Sequence, residues 1–330
     1  MLFFEKPDAR IAKRLLKEPI LLADECYFLS TFFYKRDDMY RALYYLKKGV
    51  SLNSTHCKVA YWWAYLQDNY KAEGMTKKEF VAFQLSLAQE SSNGEICYNA
   101  ALELMRSKKV KDAIDMFHKA AVDDNFLAMI QLHYIYEGMD NRTYTSLYWL
   151  YKAMQHCPQE NGLKTTEIMR LHLKLSNQLA GADLKYLSKQ AADEGCGYAV
   201  NDMEIDSGDE EMLQKYGRIS LEQQVPGALY NYYYYKLMNE DPISSLEKLE
   251  ILSCRGFSYA TILLADIYRG VCKDSKIIPD PDKACYFNEK ALAFDHRGAI
   301  EYFIDHTKGI HKDYFKFRLK QLAKGLGVDA

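Results

Sequence analysis

Residues 113–121 read AIDMFHKAA, and this arrangement recurs along the chain. Good copies are SLYWLYKAM at 146–154 and ACYFNEKAL at 284–292. Each has a small residue first, an aromatic residue or Met fourth, Lys seventh and Ala eighth. Looser copies begin at residues 42, 81, 184, 216, 245 and 314, so nine copies follow at intervals of 29 to 39 residues. Recurrence at such a period predicts a repeat protein.

A second pattern lies between these nine-residue frames. AMIQLHYIYEG (128–138) and ATILLADIYRG (260–270) align without gaps, with Ala first, Leu fifth, Tyr ninth and Gly eleventh. Residues four apart share one helix face, and Gly is common just beyond a helix end. The predicted unit is therefore a helix A with an Ala–Leu–Tyr stripe, a turn, and a helix B that carries the frame. Such units bury their apolar faces only when they are stacked.

These two patterns resemble the Sel1-like repeat, a relative of the tetratricopeptide repeat. The resemblance is best at 113–154 and 260–292. It implies an all-α fold, a right-handed α-solenoid of stacked helix–turn–helix repeats whose A helices line a concave face.

We expect three segments along the chain. Residues 1–22 are predicted to be an N-terminal capping segment, and 326–330 a C-terminal tail. Residues 23–325 are predicted to form a single array of about nine repeats, with a bend near 200–215 where the acidic run DMEIDSGDEEM lies.

Composition narrows the choice of partner. The chain has 43 basic and 45 acidic residues, a balance that does not favour binding to nucleic acid or to an anionic membrane.

The opening MLFFEKPDAR lacks the pattern of a secretory signal, and no run approaches 18 uncharged apolar residues. The eight cysteines include no CxxC pair and are expected to be reduced, mostly buried side chains. A cytoplasmic location is the expectation.

Helical geometry predicts the residues that face away from helix B. At 100° per residue, the face opposite the Ala–Leu–Tyr stripe carries the residue before the first place and the third, seventh and tenth places. In the array this face includes His56 and a set that we take as the candidate binding residues. The set is Trp63, Tyr98, Tyr134, Glu137, Tyr198, Tyr230, Tyr233, Tyr259, Asp266 and Arg269. Tyr and Trp often anchor protein interfaces, so a protein or peptide partner is predicted; the alternative is that these rings fill the core between neighbouring A helices.

The run NYYYY at 231–235, in ALYNYYYYKLMNED, is predicted to lie in a helix A. Four consecutive helical residues point in four directions. We expect Tyr233 to face the groove that the A helices line on the concave face. Tyr235 should pack inward against helix B, and Tyr232 and Tyr234 should face neighbouring repeats.

Catalytic and metal-binding patterns are absent from the sequence. There is no GxSxG, GxxxxGK, HExxH or GxGxxG motif. His306 and His311 are too few to make a zinc site, and the acidic run at 202–212 lacks the ligand spacing of an EF-hand. His133 is expected to be a buried, hydrogen-bonded imidazole. We therefore predict no enzyme activity, no metal and no cofactor.

Three kinds of function stay open. The first is a non-enzymatic scaffold, which the resemblance implies to be a bacterial adaptor, regulator or toxin-immunity-type protein. The resemblance also leaves open a β-lactamase-like hydrolase and a host-interaction effector.

Overall fold

The computed structural model describes residues 7–66, 76–156, 183–203, 210–272 and 275–325. The α-helices in these ranges are α1 (Ala9–Leu15), α2 (Ala23–Tyr34), α3 (Met39–Ser51), α4 (Thr55–Leu66), α5 (Lys77–Glu90), α6 (Gly94–Arg106), α7 (Val110–Val122), α8 (Phe126–Glu137), α9 (Thr143–Gln155), α10 (Leu184–Asp193), α11 (Glu210–Glu222), α12 (Pro226–Asn239), α13 (Pro242–Cys254), α14 (Ser258–Tyr268), α15 (Pro281–Ala291), α16 (Arg297–His306) and α17 (Gly309–Gly325). Two 3-10 helices, Gly197–Asp202 and Leu292–Phe294, accompany them.

The predicted all-α fold of helix–turn–helix repeats is confirmed. The described ranges contain no strand, and consecutive helices such as α2 and α3, α6 and α7, α8 and α9, or α14 and α15 pack on each other as hairpins. Each of the nine predicted frames falls on an α-helix: α3, α5, α7, α9, α10, α11, α13, α15 and α17. The chain divides into two compact units, which we call unit 1 (1–87 with 237–330) and unit 2 (88–236). The single array over 23–325 stays a prediction.

Helix B is tightly enclosed where the eighth place of the frame is Ala. Ala occupies it in five copies, and all five residues are at most 2% exposed. They are Ala88, Ala120, Ala153, Ala191 and Ala291. The first place is buried in seven of the nine copies, including the looser ones that begin with Tyr216, Ser245 and Tyr314, and is half-buried at Val81 and Leu184. One face of each helix B is therefore core, as the recurrence of small residues predicts.

The Lys at the seventh place has a structural role in both units. In unit 2, the Lys119 ammonium donates hydrogen bonds to the carbonyl oxygens of Ala88 and Gln89, at 2.7 and 2.8 Å. In unit 1, the Lys290 ammonium lies 3.2 Å from the carbonyl oxygen of Ser253. Each Lys thus reaches the last turn of the preceding helix B, where carbonyl groups lack helical partners and the dipole favours a cation.

The Tyr at the ninth place of helix A also repeats its contact. The Tyr136 hydroxyl is 2.8 Å from Nε2 of His118, and the Tyr268 hydroxyl bonds to the Glu250 carboxylate. His118 and Glu250 both hold the sixth place of the preceding frame. The stripe is thus apolar at its Ala and Leu positions and hydrogen-bonded at its Tyr.

Short turns join the helices through one recurring C-cap. After α6, α7, α13 and α14, a left-handed residue is followed by an amide that donates to the carbonyl five residues earlier, as in Asn125 to Ala120 at 3.1 Å. This is the Schellman motif. The predicted cap glycines behave differently: Gly270 has φ +75°, whereas Gly138 has φ −83° and the left-handed residue there is Asn141.

Unit 1 brings the beginning and the end of the chain together. Helix α1, from the predicted capping segment, packs on α2 and on α17. The Arg14 guanidinium lies 2.9 Å from the Asp313 carboxylate, and the Phe28 ring packs edge-on to Phe317 at 5.8 Å. The residues at 326–330 lie outside the described ranges.

Two expectations differ from the structure. The helix A expected around Tyr198 is only the 3-10 helix Gly197–Asp202; within the predicted bend, residues 204–209 lie outside the described ranges, and 210–215 belong to α11. Tyr235, expected to pack inward, is 59% exposed, because Leu237 is the buried side chain of this helix. The helix was predicted correctly, but its inward face was not.

The cysteines of the described ranges are free thiols. Cys26, Cys57, Cys97 and Cys196 are buried as expected, whereas Cys254 and Cys285 are exposed. In the described part of the chain, no helix combines the length and apolar character needed to cross a membrane.

Gly49 holds the eighth place in the first frame, and its surroundings test the close-packing argument. A Cβ built on Gly49 would lie 2.1 Å from Cys57 Sγ and 3.1 Å from Cys26 Cβ. A Cβ on Gly217, inside α11, would meet nothing within 4 Å. The two glycines are therefore a matched pair.

We expect Gly49→Ala to lower the free energy of unfolding by about 1–3 kcal/mol, because the methyl group overpacks the α2–α3–α4 contact. Gly217→Ala should raise it by about 0.5–1 kcal/mol through helix propensity alone. Urea unfolding of both variants checks this. Stabilisation by both substitutions would contradict the close approach at Gly49.

Candidate functional site

Three predicted site residues lie on α6 and α8 of unit 2. Tyr98 is half-buried, with its ring centroid 6.0 Å from that of Phe117, and burial raises its pKa. Tyr134 is 44% exposed on α8, and Glu137 on the next turn is exposed as well. The other side of α8 is anchored, since Ala128 and Leu132 are fully buried.

His133 directly precedes Tyr134 on α8 but points into the protein. It is 1% exposed, and its Nδ1 is 2.7 Å from the Ser146 hydroxyl. The expectation of a buried, hydrogen-bonded imidazole is confirmed.

Tyr198 belongs to an aromatic cluster inside unit 2. Its ring stacks on His118 with centroids 4.3 Å apart and planes 3° apart, and Trp149 lies 5.9 Å away. We call His118, Tyr136, Trp149 and Tyr198 the His118 cluster. Burial raises the pKa of Tyr198, so its hydroxyl stays protonated. The environment of Tyr198 therefore matches the alternative reading of the candidate residues, in which their rings fill the core.

His118 is the electrostatically distinctive member of this cluster. It is 5% exposed, and burial lowers the pKa of its imidazole to about 3, so it is neutral at physiological pH. Its Nδ1 and the Nε1 of Trp149 are buried atoms without a hydrogen-bond partner. No sequence pattern signals this environment, because His118 occupies a place in the frame that Tyr151 and Glu289 fill in other copies.

The tyrosine run supplies two further predicted residues. Tyr230 and Tyr233 are half-buried on α12. The Tyr230 ring stacks on Tyr234 with centroids 6.0 Å apart, and the Tyr233 ring meets Tyr232 edge-on at 5.2 Å. Both contacts are made between tyrosines of α12.

Unit 1 holds the remaining predicted residues, Trp63, Tyr259, Asp266 and Arg269. Trp63 is half-buried on α4, edge-on to the buried Trp62 at 5.0 Å, whereas Tyr259 on α14 is 65% exposed.

The charged pair, by contrast, is brought together. Asp266 accepts a hydrogen bond from Arg269, whose guanidinium also donates to the carbonyl oxygen of Gly298 at 2.7 Å. This pair therefore ties α14 to the start of α16.

Sequence reasoning missed a polar pocket in unit 1. It lies between the start of α2, the α3–α4 turn and the end of α15. Asp24, His56 and Glu289 are its ionisable lining residues of greatest interest, and His56 is the one that the helix A geometry had selected. The sequence signal that could have revealed it was Asp24–Glu25, two acidic residues inside LLADECYFLSTFF, a run with no other charged residue.

Asp24 is a buried charge with three partners. Its carboxylate accepts hydrogen bonds from the Arg318 guanidinium and, at 2.6 Å, from the Tyr314 hydroxyl, and His56 Nδ1 lies 3.4 Å away. Burial alone would raise the pKa of Asp24, but Arg318 and His56 hold it well below its ordinary value. Asp24 is therefore ionised, and His56 is oriented by it and by stacking on Tyr27 at 4.9 Å.

A metal site needs converging ligands, and the described ranges do not provide them. No three His, Cys, Asp or Glu side chains in those ranges converge as a metal site would require. His306 Nδ1 is 2.8 Å from the Tyr302 carbonyl oxygen, and His311 Nδ1 is 2.6 Å from the Glu25 carboxylate. The two histidines thus have separate partners.

Comparison with known proteins gives structural matches only. No family model and no curated protein matches the chain. A Sel1 repeat protein from Oxalobacter formigenes matches with TM-score 0.35 and 18% identity, over 68% of this chain and 96% of that chain. A protective antigen of uropathogenic Escherichia coli strains that displays an SLR fold matches with TM-score 0.40 and 13% identity, over 98% of this chain and 76% of that chain. The chain is similar to these repeat proteins, and the fold described above rests on its own helices.

The neutral His118 makes the stability of the protein depend on pH. Below its ordinary pKa of 6.5 an unfolded His118 binds a proton, whereas the folded residue does so only near pH 3. Its contribution to stability is therefore present above pH 6.5 and is lost as the pH falls, at about 1.4 kcal/mol per pH unit.

We expect His118→Phe to be less stable than the wild type at pH 7 by about 1–2 kcal/mol, since Tyr136 loses its hydrogen-bond partner. At pH 5 the wild type alone is destabilised by the proton linkage, by about 2 kcal/mol, so this difference should vanish or reverse in sign. Urea unfolding at both pH values is the measurement. A difference that is the same at both pH values would refute a buried neutral imidazole.

Proposed function

We propose that this protein is a non-enzymatic scaffold. It binds a protein or peptide partner on the faces of its A helices that point away from the B helices. The roles that fit are those of a bacterial adaptor, a regulator or a toxin-immunity-type protein acting in the cytoplasm. The observation that carries the proposal is the exposure of Tyr134 and Tyr259 on helices whose stripes are buried. Such residues offer large ring area at low entropic cost, because the helix beneath them is already fixed.

The candidate residues do not contribute equally to this proposal. Tyr134 with Glu137 on α8, and Tyr259 on α14, present exposed surface. Tyr198 is stacked in the His118 cluster, so we assign it a supporting role. Trp63, Tyr98, Tyr230, Tyr233, Asp266 and Arg269 stay in the proposed surface as half-buried residues that a partner would contact by their edges.

The experiment begins with affinity capture of the protein from its own cells and mass spectrometry of what is retained. Binding of the purified partner is then titrated against the wild type, Tyr134→Ala and Tyr40→Ala. Tyr40 is the control, since it is 82% exposed but lies on α3, a helix B.

We expect Tyr134→Ala to weaken binding by about 2 kcal/mol, roughly thirtyfold in Kd, and to leave the melting temperature unchanged. Tyr40→Ala should bind as the wild type does. The proposed helix A surface would be refuted if a folded Tyr134→Ala protein bound the partner with wild-type affinity. It would also be refuted if Tyr134→Ala and Tyr40→Ala lost the same amount of affinity. A captured partner that proves to be a secreted toxin would select the immunity role.

A further inference from the structure

A surface of unit 1 formed by α1 and α17 is rich in exposed cations. The two helices pack on each other, and the Arg14–Asp313 ion pair at 2.9 Å marks their contact. Ala12 and Leu15 are the buried side of α1, so the basic residues of this helix face solvent. We call the following exposed side chains the basic face: Arg10, Lys13, Lys17, Lys316, Lys320 and Lys324.

Helical geometry places the cations of both helices beside that ion pair. At 100° per residue, Lys316 and Lys320 project within about 60° of Asp313 on α17. On α1, Lys17 projects within about the same angle of Arg14. The three lysines of α17 in the basic face follow each other every fourth position, about 6 Å apart along the helix. The six cations therefore form one surface.

The charge of the basic face is not balanced by acids of the same two helices. None of its six side chains has an ion pair or a hydrogen bond in the described part of the chain. Among the acids of 7–18 and 309–325, Asp8 caps the first turn of α1 and Asp313 is paired with Arg14. Glu18 is the remaining one. Six positive charges thus face solvent beside one such acid.

Acids of the neighbouring helices do not supply the missing charge. Helix α16 meets α17 where the Phe303 ring stacks on Phe315, with centroids 4.9 Å apart. Glu301 and Asp305 lie two residues to either side of Phe303, about 160° around the helix, so they point away from α17. On α2, Asp24–Glu25 is buried inside the fold. The basic face therefore carries a net positive charge, although the chain as a whole is close to neutral.

The stability of the two helices does not explain this arrangement. Like charges four positions apart repel on a helix, as Lys316 and Lys320 do. Elsewhere the chain pairs an exposed cation with an acid at that spacing, as in Arg218 with Glu222 at 2.7 Å. The helix dipole favours cations in a last turn but not in a first turn, where Arg10 lies. A local rule broken without a compensating contact indicates a role in binding.

The surrounding side chains favour an acidic protein segment over other polyanions. Sites for single-stranded nucleic acid add rings that stack on bases, but the rings of α17 pack into the fold, Tyr314 and Phe315 fully buried and Phe317 against α2. A membrane site needs apolar side chains beside its cations. Of the nearby exposed apolar residues, Leu16 lies about 160° around α1 from the ion pair, and Ile20 lies in the bend beyond the helix.

Carboxylates need neither rings nor an apolar surface, because they bind lysine through charge-assisted hydrogen bonds. Their spacing also fits. Alternate residues of an extended chain project on one side about 6.6 Å apart, close to the spacing of the lysines on α17.

We propose that the basic face binds an acidic segment of a protein partner, a run of aspartates or glutamates in extended form. Carboxylates of the segment pair with Lys316, Lys320 and Lys324, and α1 supplies a second row of cations. The face lies on the capping helix and on a helix B, so this proposal does not depend on binding at Tyr134 or Tyr259.

The test uses hexaglutamate labelled with tetramethylrhodamine as the probe, and labelled hexaglutamine as its uncharged counterpart. Fluorescence anisotropy follows each peptide as the full-length protein is added at low salt. We expect hexaglutamate to bind with a Kd of about 0.1 mM, because several exposed ion pairs of modest strength add. Added salt should weaken it steeply, and hexaglutamine should not bind.

Charge reversal locates the site. Lys316→Glu/Lys320→Glu should weaken hexaglutamate binding by about tenfold or more. Lys47→Glu/Lys248→Glu makes the same change in net charge at exposed positions of α3 and α13, and should bind within about twofold of the wild type. Lys316→Arg/Lys320→Arg keeps the charges and should also bind as the wild type does. Melting temperatures show that each variant is folded.

Four results would overturn the proposal. One is wild-type affinity in a folded Lys316→Glu/Lys320→Glu protein, and another is an equal loss in the Lys47→Glu/Lys248→Glu control. A third is hexaglutamine binding as tight as that of hexaglutamate. The fourth is tighter binding of an oligothymidylate, or of vesicles containing phosphatidylserine, at the same concentration of charge, which would assign the face to nucleic acid or to a membrane.

The contribution of α1 is tested separately. Lys13→Glu/Lys17→Glu should weaken hexaglutamate binding about as much as the reversal on α17, because both helices form one face. Wild-type affinity in this variant would contradict a surface shared by the two helices.

Discussion

The close approach of helices at one small residue of each well-formed frame determines much of this structure. A helix axis can come near its neighbour only where the side chain between them is short. Gly49, Ala120 and Ala291 hold that position in three frames, and the alanines are fully buried. At Gly49 even a methyl group has no room beside Cys57. This close approach of two helices brings the aromatic and aliphatic residues on the adjoining turns into contact with the neighbouring helix.

Polar contacts then specify the order in which helices stack. Lys119 and Lys290 reach the ends of the preceding B helices, and Tyr136 and Tyr268 bond to the sixth place of the preceding frame. The contact of Tyr136 also gives the buried Nε2 of His118 its hydrogen-bond partner. Apolar stripes alone would tolerate other pairings of similar helices, so these bonds favour the observed neighbours.

The fold could largely be predicted from the sequence because its information is local. Nine frames and two stripes identify the helices, and a period of 3.6 residues identifies the core face. The pairing of Asp24 with Arg318 could not be predicted in this way, since the residues are 294 positions apart. Arg318 holds the fifth place of its frame, where Leu46, Phe117 and Leu150 are buried in others. A charge at a core position signals a missing partner but does not say where that partner is. Tyr235 shows a second limit. The periodicity predicted its helix correctly, but it did not predict which side of that helix packs against a neighbouring helix.

The candidate site is defined by the difference between tyrosines that are buried in the repeat and tyrosines that are exposed on an A helix. Those in the stripe, Tyr136 and Tyr268, are committed to the repeat by hydroxyl bonds to helix B, and burial raises the pKa of Tyr268 to about 12. Tyr198 is committed by stacking on His118. Tyr134 and Tyr259 instead keep 44% and 65% of their surface exposed on helices fixed by their other faces. Removing a buried tyrosine lowers the free energy of unfolding, whereas removing an exposed one mainly changes the surface offered to a partner. Exposure on a helix A, rather than aromatic content alone, is therefore the property that separates a binding surface from a core in this chain.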